Sequence, residues 1–135
     1  MKTLFLSLAF ALSSSLVSNT LAQCEDNATD QAIQDLAARY AVALFAGDTN
    51  DILAMLDGKL REEKLPVLSR SNYPQQLTKF YEGAHYTISD CGQVAENSHA
   101  TLNITFPSGD SSAIELWMNS SEQGDLLIYK EVVLY

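Results

Sequence analysis

AIQDLAARYAVALFAGDTNDILAMLDG, residues 32–58, is the stretch that decides the fold. Apolar side chains recur in its first half at the spacing i, i+3, i+4, i+7, which gathers them on one face of a helix. A helix with a single apolar face must bury that face against another layer, so the pattern predicts a sheet beneath it. The face consists of Ile33, Leu36, Ala37, Tyr40, Ala41, Leu44 and Phe45.

Residues that begin and end helices flank this segment. Asn27 or Thr29 can accept a hydrogen bond from the first free backbone amides, and Gly47 can adopt the left-handed conformation that ends a helix. Asp48 or Asn50 can then cap a second, shorter helix. We expect Gly58 to end that second helix. The sequence therefore predicts two helices that meet at a tight corner.

The middle of the chain is predicted to contain a linker and one more short helix. Residues 59–64, KLREEK, are charged, and Pro66 disfavours a helix through the residue before it, so we expect a linker here. Pro74 suits the first turn of a third helix, which Gly83 ends. From residue 84 onward the hydrophobic period changes from 3.6 to 2, as expected for strands.

Four strands are predicted, over residues 85–90, 99–106, 113–119 and 126–135. Gly92 gives a turn after the first, and Pro107-Ser108-Gly109-Asp110 is a hairpin signal after the second. Helices followed by an antiparallel meander predict an α+β domain, with the N-terminal helices packed on one face of a curved sheet.

The last predicted strand is apolar on both sides. Uninterrupted alternation places Ile128, Val132 and Leu134 on one face, with other apolar side chains on the opposite face. One face must pack against the helices, so the other needs a cover as well. A second subunit is the simplest cover, and a long neighbouring strand that curls over the face is the alternative. We therefore expect a homodimer through the outer face of the sheet.

The first 22 residues have the pattern of a secretory signal peptide: a basic residue, a short apolar run, then small and polar residues. Cleavage after Ala22 would leave residues 23–135 as a single secreted or periplasmic domain. The alternative is a lipoprotein anchored at Cys24. The net charge is −9, and loss of Lys2 with the leader makes it −10. Such a charge repels phosphates and anionic lipids, so we expect no nucleic-acid partner, and no membrane partner unless Cys24 is lipidated.

The two cysteines, Cys24 and Cys91, are expected to form a disulfide in an oxidising compartment; two independent thiols are the alternative. His85 and His99 lack the spacing of metal ligands, so we expect no metal site, and no motif implies a cofactor. Sites for N-glycosylation would matter only in a host that modifies secreted proteins. The triplets that match begin at Asn27, Asn103 and Asn119.

The corner Ala46-Gly47-Asp48, with Arg39-Tyr40 before it and Leu56 after it, resembles the opening of bacterial ketosteroid isomerases. The order of helices and strands resembles the nuclear transport factor 2-like superfamily, a cystatin-like α+β cone that also includes SnoaL-like proteins. This resemblance implies a conical cavity between the helices and the sheet. The residues expected to line that cavity are Tyr40, Leu44, Met55, Phe80 and Trp117.

The resemblance also implies roles for single residues. Tyr40 falls where the isomerases have a tyrosine that donates a hydrogen bond to the developing oxyanion, and Glu115 falls where they have a protonated carboxylic acid. The position of the general base receives Lys64, and Glu63 could act as base only if the loop shifts. The residues alone also allow Tyr40 to be a core tyrosine whose hydroxyl needs one partner, either Glu115 or a backbone carbonyl.

The phase of the third strand decides the position of Glu115, and the sequence leaves that phase open. If Ile114 and Leu116 face the helices, Glu115 and Trp117 point away from them and Glu115 is a solvated sheet residue. The isomerase-like placement requires the opposite phase, in which Glu115 and Trp117 line the cavity.

Together these observations favour an exported domain that binds a small, largely apolar ligand or a partner protein. The alternative is an isomerase or lyase that performs acid/base chemistry on a small carbonyl compound. A second alternative is a secreted cystatin-like inhibitor. Such inhibitors present a Gln-x-Val-x-Gly hairpin, which Gln93-Val94-Ala95-Glu96-Asn97 does not match.

Overall fold

The structure, a computed structural model, describes Cys24 and residues 27–134. The expected signal peptide, residues 1–22, and its cleavage site lie outside the described residues. The described part contains four helices and then four strands: α1 Ala28–Ala46, α2 Thr49–Met55, α3 Gly58–Leu68, α4 Tyr73–Phe80, β1 His85–Val94, β2 Asn97–Thr105, β3 Ser111–Ser120 and β4 Leu126–Leu134. The strands form one antiparallel sheet in sequence order, so the predicted α+β class is confirmed.

The first helix begins and ends where the sequence predicts. The side chain of Asn27 accepts a hydrogen bond from the Asp30 amide at 2.9 Å, and Gly47 ends the helix with a φ of 67°. The predicted apolar face is buried against the sheet, and Tyr40 is among its fully enclosed side chains. Helix α1 is therefore the central element of the helical layer.

The Gly47 corner also fixes the position of α4. A Cβ atom added at Gly47 would overlap the carbonyl oxygen of Pro74 and crowd the side chain of Thr78, so α4 packs directly on the backbone of the corner. Asp48 then caps α2 by accepting a hydrogen bond from the Asp51 amide at 3.1 Å. Glycine is needed here both for its positive φ and for the space.

The predicted linker over residues 59–64 is wrong, because these residues belong to α3. The side chain of Asp57 caps this helix at the Leu60 amide at 2.9 Å, so Gly58 begins α3 instead of ending α2. Pro66 lies inside the helix and removes one backbone hydrogen bond. Burial of Leu60 and Leu68 against the core outweighs this local loss.

The inner face of the sheet resolves the open phase of β3. Ile114, Leu116 and Met118 are buried beneath the helices, together with alternate residues of β2. Glu115 and Trp117 therefore lie on the outer face. The alternation of apolar and polar residues in β3 is therefore confirmed, and its apolar residues are the ones that face the helices.

The predicted turn at Gly92 is also wrong. Strand β1 continues to Val94, and the connection to β2 follows it, with Ala95 at a φ of 57°. The irregularity that the sequence marks is a bulge between Ser89 and Gly92, where Asp90 has a φ of 55°. An extra residue here bends the strand without ending it.

A disulfide joins Cys24 to Cys91, which lies within the β1 bulge. It closes a loop with a sequence separation of 67 residues and ties the chain ahead of α1 to the sheet. Such a bond fits a protein that folds in an oxidising compartment. Among the described residues, none of the helices has the length and apolar character needed to cross a bilayer.

We expect Gly47→Ala to lower the free energy of unfolding by about 3 kcal/mol, because the new methyl group meets backbone atoms and the residue is left-handed. Gly124→Ala is the matched control, since Gly124 has a φ of 89° but open space around it. It should cost only about 1 kcal/mol. Urea unfolding measures both changes, and equal losses would show that α4 does not pack on the corner.

Candidate functional site

A bulge in β4 turns a carboxylate towards the helices. Met118 of β3 pairs with Ile128, but Trp117 pairs with Lys130, so Tyr129 is an extra residue in β4. The alternation therefore shifts by one residue. Glu131 pairs with the inward-facing Leu116 and lies on the helix side of the sheet.

The same shift corrects the predicted faces of β4. Ile128 faces the helices as predicted, whereas Val132 pairs with Glu115 on the outer face. Val133 takes the inward position in its place, paired with Ile114. The prediction of unbroken alternation in β4 is wrong, because this strand contains Tyr129 as an extra residue.

Glu131 joins two helices to the sheet. The Tyr40 hydroxyl of α1 donates a hydrogen bond to Oε2 of Glu131. The Lys64 ammonium of α3 donates to Oε1 at 2.7 Å. The Glu131 side chain is 14% exposed and that of Lys64 31% exposed, so the ion pair lies at the edge of the core. Each carboxylate oxygen has a partner, as a largely buried charge requires.

Burial and the Glu131 carboxylate together favour the neutral form of Tyr40. Burial raises the pKa of the Tyr40 hydroxyl well above its ordinary value, and the negative charge and hydrogen bond of Glu131 raise this pKa further. Burial and the charge of Glu131 also raise the pKa of Tyr81. Both phenols therefore remain hydrogen-bond donors at neutral pH.

Two cavities adjoin this cluster, and a third lies next to them; all three have Tyr73 in their linings. The inner cavity has a volume of about 130 Å³ and contains Tyr40, Lys64 and Glu131 in its wall. The outer cavity, of about 400 Å³, runs along α3 and shares Lys64 and Glu131 with the inner one. The α4 cavity, of about 310 Å³, lies beyond Tyr73. We call the three together the groove.

The remaining wall of the groove is largely apolar and aromatic. Leu68 lines the inner and outer cavities, and Leu77 lines the inner and α4 cavities. The Tyr81 ring stacks on Phe45 at 5.1 Å and on Phe106 at 6.0 Å, measured between ring centroids. These contacts fix the Tyr81 ring within the wall of the groove.

Part of the predicted pocket lies in this groove. Tyr40 and Leu44 line the inner cavity, and Phe80 lines the α4 cavity with 65% of its surface exposed. Met55 is fully buried in the core and lines none of the three cavities. Trp117 lies on the opposite face of the sheet.

The structure does not bring the three predicted catalytic candidates together. Glu115 accepts a hydrogen bond from the Trp117 indole on the outer face, so it cannot assist Tyr40 through the sheet. Glu63 lines the outer cavity and is exposed. The Tyr40 hydroxyl donates to Glu131, which occupies the donor that an oxyanion would need. Glu131, and not Glu115, is the carboxylate beside Tyr40.

Sequence reasoning missed Glu131 as a site residue. The available signal is a charged residue within an otherwise apolar final strand, LLIYKEVVL. A buried carboxylate needs a hydrogen-bond donor, and the buried Tyr40 hydroxyl needs an acceptor, so the two groups could have been paired. The inward position of Glu131 depends on the β4 bulge, and no glycine or proline marks that bulge in the sequence.

The described part of the chain contains no group of three or more His, Cys, Asp or Glu side chains that could hold a metal ion. No family model matches the sequence, and no curated protein matches it significantly. Solved structures do match. One is the crystal structure of a Campylobacter jejuni protein named as an NTF2-like transpeptidase, where NTF2 is nuclear transport factor 2. The TM-score is 0.55 at 16% identity, over 72% of this chain and 96% of that one.

This chain has the nuclear transport factor 2-like fold. The fold that the resemblance implies is confirmed. A structure from Catenulispora acidiphila is also similar, with a TM-score of 0.45 and 14% identity over 76% of this chain and 87% of that one. At these identities the likeness concerns the fold of the chain and not its activity.

Alkaline pH should reveal the Tyr40–Glu131 contact. An unfolded tyrosine ionises near pH 10, whereas folded Tyr40 ionises at higher pH, so the native state binds more protons. The free energy of unfolding should therefore fall as the pH rises above about 10. Tyr40→Phe should reduce this fall, and Tyr129→Phe, outside the groove, should not. Urea unfolding across this pH range checks the effect, and identical slopes in all three proteins would contradict it.

Proposed function

We propose that this nuclear transport factor 2-like domain is an exported binding protein for a small, largely apolar molecule that occupies the groove. The observation that carries the proposal is the polar cluster of Glu131, Tyr40 and Lys64 in a groove whose other lining side chains are mostly apolar or aromatic. Apolar walls supply affinity, and a few fixed polar groups orient a ligand.

The size of the groove supports this proposal. Ligand pockets commonly span about 300–1,000 Å³. The outer cavity, at about 400 Å³, falls within this range. The Tyr40 hydroxyl of α1 also holds Glu131 of β4 in place, so the carboxylate is positioned before a ligand arrives.

Export is the other part of the proposal. The Cys24–Cys91 disulfide supports it, because such bonds persist in oxidising compartments. The signal-peptide pattern of the first 22 residues supports it from the sequence.

Filling the outer cavity should weaken ligand binding. Val67 lines this cavity, and Val67→Trp would occupy much of its volume. Val42→Trp is the matched control, because Val42 is an exposed valine of α1 that lines none of the three cavities. Titration with the neutral apolar dye Nile red should show severalfold weaker binding to the first variant only. Equal binding to both variants and the parent protein, or no binding to any of them, would contradict the proposal.

The outer face of the sheet favours a second candidate function, contact with another protein chain. Trp117 lies there between His99, at 4.9 Å between ring centroids, and Lys130, whose Nζ is 5.8 Å from the ring centroid. Val132 and Leu134 extend this surface along β4. We propose that a second copy of the chain covers this face, since a half-buried tryptophan beside aliphatic residues suits an interface.

Trp117→Lys should disrupt such a homodimer, because it removes the large aromatic contact and adds a second positive charge beside Lys130. Val42→Lys is the control, since Val42 lies on α1 and not on this face. Sedimentation velocity should show a dimer for the parent protein and the control, and a monomer for Trp117→Lys. A parent protein that stays monomeric at every concentration would rule out the homodimer.

A further inference from the structure

We propose that the ligand of the groove is an organic cation, an ammonium group on a small apolar or aromatic body. This inference rests on the proposed binding function and names the chemical class of its ligand. Three observations support it: the charges that line the outer cavity, the Lys64 ammonium that already contacts Glu131, and the aromatic ring of Tyr73.

The charges that line the outer cavity do not balance. Its wall contains two carboxylates, Glu63 and Glu131, and one ammonium, Lys64. The groove therefore has a net negative charge within a protein whose overall charge is −9. A cation would neutralise the groove, whereas an anion would add to the excess.

Lys64 shows where a ligand ammonium would bind. Its Nζ donates to Oε1 of Glu131 at 2.7 Å, so this oxygen already accepts from an ammonium group. The Lys64 side chain is 31% exposed on a flexible four-carbon stem, and it can withdraw into solvent while Glu131 stays bonded to Tyr40. A ligand ammonium could then take its place on Glu131.

Tyr73 supplies the aromatic contact. Its ring borders all three cavities, and within the described chain it joins none of the close ring pairs. An ammonium near Glu131 would therefore meet a ring face that other rings leave uncovered, which favours a cation–π contact. The Tyr81 ring, by contrast, is stacked on both Phe45 and Phe106.

The behaviour of Tyr81 supports a negative potential inside the groove. Burial and the charge of Glu131 raise the pKa of the Tyr81 hydroxyl, so the field of this carboxylate reaches the wall that Tyr81 forms. A positive group between these residues would be stabilised by the same field.

Three probes of similar size test the charge preference by isothermal titration calorimetry: benzylamine, benzyl alcohol and benzoate. Benzylamine should bind about tenfold more tightly than benzyl alcohol, through the charge-assisted hydrogen bond and the cation–π contact. Benzoate should bind least. Equal affinities for benzylamine and benzyl alcohol would overturn the cation proposal and leave the binding function standing. If no probe binds and Nile red is insensitive to Val67→Trp, the binding function fails as well.

Variants of the charged residues give a second, independent test. Lys64→Met should strengthen benzylamine binding by about tenfold, because it removes both the repulsion and the competing ammonium. Glu63→Gln should weaken it by about threefold, as expected for an exposed carboxylate. Glu62→Gln is the matched control, since Glu62 is exposed and does not line the outer cavity. Weaker benzylamine binding by Lys64→Met, or equal effects of the two glutamine variants, would overturn the proposal.

Discussion

The buried end of Glu131 is the constraint on which the arrangement of this protein depends. A carboxylate turned towards a helical layer is costly unless both oxygens have partners, and here Tyr40 and Lys64 supply them. These partners come from α1 and α3, so a single charge fixes two helices against the last strand. Because the polar groups must remain together at the edge of the core, the apolar side chains around them leave a groove there.

Local departures from regular structure set the shape around this cluster. The β4 bulge turns Glu131 inward, and the β1 bulge contains the cysteine that ties the sheet to the chain ahead of α1. The Gly47 corner lets α4 approach closely enough to close one side of the groove. Each feature is a small deviation, yet together they determine which side chains face the cavities.

The nuclear transport factor 2-like fold gives this chain a scaffold without prescribing a reaction, since one fold can host many unrelated functions. This chain combines that fold with the side-chain chemistry of its groove. The acid/base constellation implied by the resemblance is not assembled, because Glu115 lies on the far side of the sheet and Tyr40 already donates to Glu131. The outer cavity instead contains two carboxylates, one ammonium and the ring of Tyr73, and the proposed recognition of charge and apolar surface rests on these groups.

The sequence by itself determined the helix–corner–helix opening, the α+β class and the buried face of α1, because periodicity and capping are local signals. It predicted the Cys24–Cys91 disulfide but left two independent thiols open, and the structure contains the bond. It misjudged α3, where burial of two leucines outweighs an internal proline. Only the tertiary structure decided the phases of β3 and β4, and therefore that Glu131 and not Glu115 meets Tyr40. The physical reason is that strand alternation fixes which residues share a face but not which face the helices cover, and an unmarked extra residue shifts every side chain beyond it.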